Sequence, residues 1–273
     1  MAYANYRYDG QDFLGEVHGD HLIPLAGLTE IGPETSTQIL AEAERLTDSA
    51  VPLTEVTLRP ASPKPGKILC VGLNYKDHPD EPITSTYPVL FPKYPTTLIG
   101  PHDEIILPTE SRQVDYEGEL AVIIGKAGRR IPKHEATDYI LGYSVANDVT
   151  MRDFQNKSQQ WLQGKVWDKS TPLGPYVVTP SETDINHAGI STTLNGEVVQ
   201  KSDLSHLIFN IPTLIATITE FATLEPGDVI LTGTPSGVGS RRDPQIFLQH
   251  GDIITVTVEG IGSITNAVRA EFA

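Results

Sequence analysis

Glu117 and Glu119 stand two residues apart in Val114-Asp115-Tyr116-Glu117-Gly118-Glu119-Leu120-Ala121-Val122-Ile123-Ile124-Gly125, a stretch that reads as a β-strand. Successive side chains on a strand alternate, so both carboxylates leave the backbone on one face, and that face continues inward through Ala121 and Ile123. It runs from charge into apolar surface, which places the carboxylates at the mouth of a pocket. Two anions held there lose hydration and repel each other unless a cation or a shared proton compensates. A divalent metal is the simplest compensation. An isolated E-x-E also fits a solvated strand end, so the reading depends on what the rest of the chain supplies.

Asn147-Asp148 supplies a third carboxylate where the apolar run Tyr139 to Ala146 gives way to Val149-Thr150-Met151-Arg152-Asp153-Phe154-Gln155. Asp148 alone could cap a helix. With Glu117 and Glu119 it makes an all-oxygen set suited to a hard ion such as Mg²⁺ or Mn²⁺, with about three octahedral positions open to water and substrate. The three carboxylates against Arg152 and Lys165 leave a local charge of −1. A divalent ion turns that to +1, so the site changes from repelling an organic acid to attracting one.

A second candidate follows the apolar run ending at Val71. His78 and Glu81 are three residues apart and could meet on one helical turn, the carboxylate fixing the imidazole so that it can activate water. Pro79 and Pro82 limit that turn to a short piece. His134-Glu135 lacks a partner His at zinc-protease spacing, and no zinc motif is present. The glycine-rich run 231–239 could cradle an anion through backbone N–H groups but lacks the Gly-Lys-Ser/Thr end of a P-loop; it reads equally well as a tight turn.

A formal charge of −15 over 273 residues argues against a nucleic-acid footprint or an anionic membrane surface. Cys70, the single cysteine, excludes an internal disulfide and reads as a buried strand thiol in a reducing compartment. No signal core or membrane-length apolar stretch occurs, so the expectation is a soluble, cytoplasmic protein.

The elements that must hold these residues are mostly strands. Tyr3 to Tyr8, Phe13 to Val17 and Leu22 to Leu25 read as short strands, and Thr35 to Leu46 as a helix. The proline-rich run 58–66 then marks a boundary between a small N-terminal α/β unit, residues 1–62, and a larger unit, residues 63–273. The larger unit shows strands at Ile68 to Gly72, Leu120 to Ile124, Tyr139 to Ala146, Tyr176 to Thr179, Ser191 to Leu194, Val229 to Leu231 and Ile253 to Val258. Its clearest helix is Pro212 to Thr223, with Leu214, Ile215, Ile218 and Phe221 on one stripe. This is an α+β pattern without regular βαβ alternation.

Taken in order, Gly72-Leu73-Asn74-Tyr75, His78 and Glu81, Phe91-Pro92-Lys93, Ile99-Gly100-Pro101, Asp115-Tyr116-Glu117-Gly118-Glu119-Leu120, Asn147-Asp148 with Arg152-Asp153, Gly164-Lys165, Pro172-Leu173-Gly174-Pro175 and Thr232-Gly233-Thr234-Pro235 resemble the fumarylacetoacetate hydrolase (FAH) family. The resemblance runs from about Lys67 to Gly262. It implies a mixed β-sandwich roll, a homodimer, and Mg²⁺ or Mn²⁺ on Glu117, Glu119 and Asp148. It further implies a water-activating dyad of His78 and Glu81, Lys165 beside a developing enolate, and Tyr75, Arg152, Gln155 and Thr234 at the substrate. Val166 and Lys169 stand where small hydroxyl residues are common in the family, which points to a reshaped pocket. The activity so implied is hydrolysis of a C–C bond in an acylpyruvate-type 1,3-diketo acid. The alternatives are decarboxylation, tautomerisation or isomerisation of a 2-oxo acid such as oxaloacetate, and, from another class, non-catalytic binding of an organic acid.

Overall fold

A computed structural model of the chain describes residues 1–76 and 86–272. His78 and Glu81 lie outside the described residues. Among the described residues the architecture is two mixed sheets and a small two-stranded ladder with few helices, in line with the α+β expectation. The larger sheet runs Val51–Pro52, His21–Pro24, Gln11–His18, Ala2–Tyr8, Thr171–Val178, Ile140–Asn147, Gly118–Ile124, Val229–Leu231, Ile68–Gly72, Val89–Lys93. The second runs Glu197–Asp203, Gly189–Leu194, Ile253–Val258, Gly262–Ala270, Ile105–Leu107.

Gly118–Ile124 lies inside the larger sheet, antiparallel to Ile140–Asn147 on one side and Val229–Leu231 on the other, and every residue of it is buried. Both faces must therefore be apolar, and the sequence Leu-Ala-Val-Ile-Ile supplies that. Leu120, Val122 and Ile124 face one core with Val256 and Ile264 of the second sheet, whereas Ala121 and Ile123 join Ile68, Cys70, Leu173 and Leu231 in another. The face that begins with Glu119 thus runs into core, as the alternation predicts.

The first 62 residues extend the same sheet: Ala2 and Tyr3 pair with Val178 and Val177, and Tyr3, Leu14, Leu25 and Leu40 share a core with Ile68 and Ala121. The helix expected over residues 35–46 is only Thr37–Glu42, capped by the Ser36 hydroxyl on Ile39 N–H. Ala43 turns extended because the following backbone pairs elsewhere, Ala26 N–H to Glu44 C=O and Leu46 N–H to Pro24 C=O at 2.9 Å each. Tertiary pairing there outweighs local propensity. The helix expected from Pro212 is Ile211–Phe221, with Asn210 as its cap. Leu214, Ile215 and Ile218 are buried as expected, but Phe221 overhangs the helix end at 56% exposure.

Candidate metal centre and its cleft

The strand expected over 114–125 is interrupted, and the interruption builds the site. Val114–Asp115 pairs with Thr150–Met151 in a separate two-stranded ladder, while pairing resumes only at Gly118 opposite Asn147. Glu117 and Asp148 lie in the gap, tied by Asp148 N–H to Glu117 C=O at 2.8 Å, and Glu119 follows opposite Ala146. Breaking the ladder frees these residues to turn their carboxylates together. One oxygen from each of Glu117, Glu119 and Asp148 lies within 4.8 Å of the others, and all three residues are buried.

Cations surround two of the three. Lys165 Nζ reaches Glu117 Oε2 at 2.6 Å and Asp148 Oδ2 at 2.8 Å, and Arg152 Nη2 reaches Glu117 Oε1 at 2.7 Å. Lys93 Nζ lies 2.8 Å from Asp148 Oδ1, although that oxygen has no hydrogen bond of proper geometry. Glu119 accepts the Gly233 N–H at 2.7 Å and has no ion pair among the described residues. Burial therefore pushes its carboxyl well above the usual carboxylate range, and Asp148 and Glu117 add repulsion that Lys165 and the Gly233 N–H only partly offset. Burial acts upward on Asp148 too, but Lys165 and Lys93 outweigh it and hold that carboxyl below its ordinary value. Burial opposes the charged form of Lys165, yet Asp148 and Glu117 prevail and raise its pKa, so it stays an ammonium.

A buried Glu119 carboxylate with no ion pair among the described residues, converging with Glu117 and Asp148, is the arrangement a divalent cation would complete. Hard oxygen donors suit Mg²⁺ or Mn²⁺, and no nitrogen or sulfur ligand is among them. The charge count includes two residues the sequence reading did not assign. Lys93 adds a positive charge and Asp115, fully buried on Arg152 Nε at 2.8 Å, a negative one. The sum stays at −1, and +1 with the ion. Lys93 carried a readable signal: on the strand Val89–Lys93 it shares a face with Phe91, a cleft-lining residue. Asp115 carried none beyond its place in the motif.

The triad opens into a cleft of about 380 Å³ lined by Glu117, Glu119, Arg152, Gln155, Lys165 and Thr234 on its polar side. Leu73, Phe91, Trp161 and Phe247 make its apolar side. Arg152 and Gln155 come from the short helix Arg152–Gln155, Arg152 Nη1 donating to Gln155 Oε1 at 3.0 Å, and Lys165 ends the helix Leu162–Lys165. Gly164 lets the two backbones meet, since a Cβ there would fall 2.7 Å from Gln155 Cα. Tyr75 is 1% exposed within the apolar core, bridges Leu207 and is not among the described cleft-lining residues. Val166 and Lys169 do not line the cleft either. The glycine-rich run does cradle anions, but they are the protein's own. Gly233 N–H serves Glu119, and Gly239 and Ser240 N–H serve Asp115 at 2.7 and 3.0 Å.

Fold and site together define a β-rich protein with a buried acidic centre open to a small, partly cationic cleft. The family described as "Fumarylacetoacetate (FAA) hydrolase C-terminal" matches residues 67–269, and the chain belongs to that family. The chain is 40% identical over 267 residues to "Oxaloacetate tautomerase FAHD2A, mitochondrial" of Homo sapiens, covering 92% of this chain and 85% of the relative. The corresponding rat protein is 41% identical over 250 residues, covering 86% and 80%. Among solved structures, a fumarylacetoacetate hydrolase from Exiguobacterium antarcticum superposes with TM-score 0.86 at 36% identity, covering 99% of this chain and 100% of the other. A 5-carboxymethyl-2-hydroxymuconate delta-isomerase from Mycobacterium smegmatis does so with TM-score 0.86 at 34% identity and the same coverage. Several relatives are named mitochondrial; no helix among the described residues is long and apolar enough to cross a membrane.

Proposed function

We propose that the chain is a Mg²⁺- or Mn²⁺-dependent enzyme that interconverts the keto and enol forms of a 2-oxo acid, with oxaloacetate as the first candidate. The observation that carries the reading is the buried triad in which Glu119 has no ion pair among the described residues, facing a cleft that also holds Lys165 and Arg152. Likeness to oxaloacetate tautomerases favours tautomerisation over the C–C hydrolysis expected from the sequence.

The bound ion would act as a Lewis acid on the 2-oxo acid head. The residues do the rest. Glu117, Glu119 and Asp148 hold the ion, and Arg152, fixed by Asp115 and Gln155, presents its guanidinium edge to the cleft. Lys165 is held charged by its two carboxylates, so it serves as a positive charge where enolate oxygen develops and not as a base. Thr234 lines the cleft with its hydroxyl donated to Gly118 C=O at 2.9 Å, which fixes that wall of the substrate site. We assign the C3 proton to His78, which the family resemblance pairs with Glu81 for water activation.

A product-resolved NMR time course in D₂O with oxaloacetate, acetylpyruvate and fumarylpyruvate, each with Mg²⁺, Mn²⁺ or EDTA, tests this. Metal-dependent exchange at C3 of oxaloacetate without pyruvate supports the tautomerase. Pyruvate with carbon dioxide would make it a decarboxylase. Pyruvate plus a free acid from the acylpyruvates would restore the hydrolase reading, which likeness to the Exiguobacterium enzyme keeps as the second candidate.

A further inference from the structure

Glu117 and Glu119 flank a glycine, and the reason lies in the second sheet. A Cβ at Gly118 would fall 2.3 Å from Thr192 Oγ1 and 2.9 Å from Val256 Cγ1, so no side chain fits between the sheets there. The Gln200 carboxamide reaches that point from the strand Glu197–Asp203 and is 2% exposed. Its Oε1 accepts the Gly118 N–H at 3.0 Å and the Thr192 hydroxyl at 2.9 Å. Its Nε2 donates to Thr234 Oγ1 at 2.8 Å and to Pro235 C=O at 2.9 Å.

A carboxamide has two lone pairs and two N–H groups on its terminal atoms, and all four are used here. The orientation of the amide follows, because the Gly118 N–H requires oxygen on one side and the Pro235 carbonyl requires nitrogen on the other. Thr234 closes the ring by donating to Gly118 C=O at 2.9 Å. Gln200 thus holds both polar groups of the residue between two carboxylate ligands, the N–H directly and the C=O through Thr234.

We propose that Gln200 is a positioning residue of the metal centre: anchored in the second sheet, it fixes the backbone from which Glu117 and Glu119 converge on the ion. The inference rests on the metal reading above. Groups that orient ligands from behind typically change metal affinity by 10–100-fold when removed. Gln200→Met keeps the length and loses all four hydrogen bonds. Thr192→Val is nearly isosteric and removes one of them.

The test is Mn²⁺ affinity of the metal-free protein, read from the electron paramagnetic resonance signal of free Mn²⁺, alongside melting in EDTA. The expectation is about 10–100-fold weaker Mn²⁺ binding for Gln200→Met and a few-fold weaker binding for Thr192→Val. A lower melting temperature with wild-type Mn²⁺ affinity would make Gln200 merely structural and overturn the inference. If Gln200→Met fails to fold, unchanged affinity in Thr192→Val overturns it equally. Absence of a stoichiometric Mn²⁺ site in the wild-type protein would instead overturn the metal reading, and the inference with it.

Discussion

Replacing Lys165 by methionine removes one cation from between two buried carboxylates while keeping most of the side-chain volume. Nζ lies 2.6 Å from Glu117 and 2.8 Å from Asp148, and the residue is 1% exposed, so solvent cannot take over its role. Taking one partner out of a buried ion pair costs about 3–5 kcal/mol when the remaining charge is left without a counter-ion; Arg152 still faces Glu117 and Lys93 still faces Asp148, so the lower end of that range applies. In a chain of this length each kcal/mol moves the melting temperature by about 2–4 °C, so the metal-free variant should melt roughly 10 °C lower. The carboxylates can escape part of the penalty by taking up a proton, so the deficit should be larger at pH 8 than at pH 5. Mn²⁺ restores the missing charge, and the metal-induced rise in melting temperature should exceed that of the wild type. Thermal unfolding at both pH values, with EDTA and with Mn²⁺, reads all of this. A metal-free Lys165→Met protein melting within about 2 °C of wild type at pH 8 would refute the electrostatic account of the site.

The two carboxyls with opposite shifts predict opposite pH responses of the metal-free protein. Glu119, raised when folded, contributes stability at low pH that is lost as pH rises through its folded value, so Glu119→Gln should flatten the fall in stability above the ordinary carboxylate range. Asp148, depressed when folded, contributes stability above its unfolded value that is lost as pH falls through the folded one, so Asp148→Asn should lose most near neutral pH. Melting from pH 4 to 8 in EDTA checks both. Gly118→Ala should destabilise by about 1–3 kcal/mol through the clash with Thr192 and Val256, measured by urea unfolding. In Asp115→Asn one acceptor oxygen is lost among Arg152 Nε, Gly239 N–H and Ser240 N–H. Its KM for oxaloacetate should rise while Mn²⁺ affinity stays within a few-fold of wild type.

The chemistry was more legible in the sequence than the scaffold. Two carboxylates on one strand face, followed by Ala121 and Ile123, pointed to a pocket edge, and the structure brings Asp148 to them from the neighbouring strand. What stayed hidden depends on long-range pairing. The break in the ladder at residues 116–117 arises from two separate strand pairs, and no local pattern shows where pairing stops. Tyr75 packs in the core beside Leu207, a placement that the motif alone does not show. The helix over 35–46 was cut short by backbone bonds to Pro24 and Ala26, partners some twenty residues away. Gln200 had no sequence signal at all. Its importance comes from two sheets meeting at Gly118.

The most direct test of the central claim is the enol absorbance of oxaloacetate followed after a stopped-flow jump, with the metal-free protein titrated by Mg²⁺ or Mn²⁺. The account predicts keto–enol relaxation accelerated in proportion to metal occupancy, abolished by EDTA and by Glu119→Gln, with no loss of total oxaloacetate. Relaxation at the uncatalysed rate with the metal bound, or acceleration that survives EDTA, would contradict it.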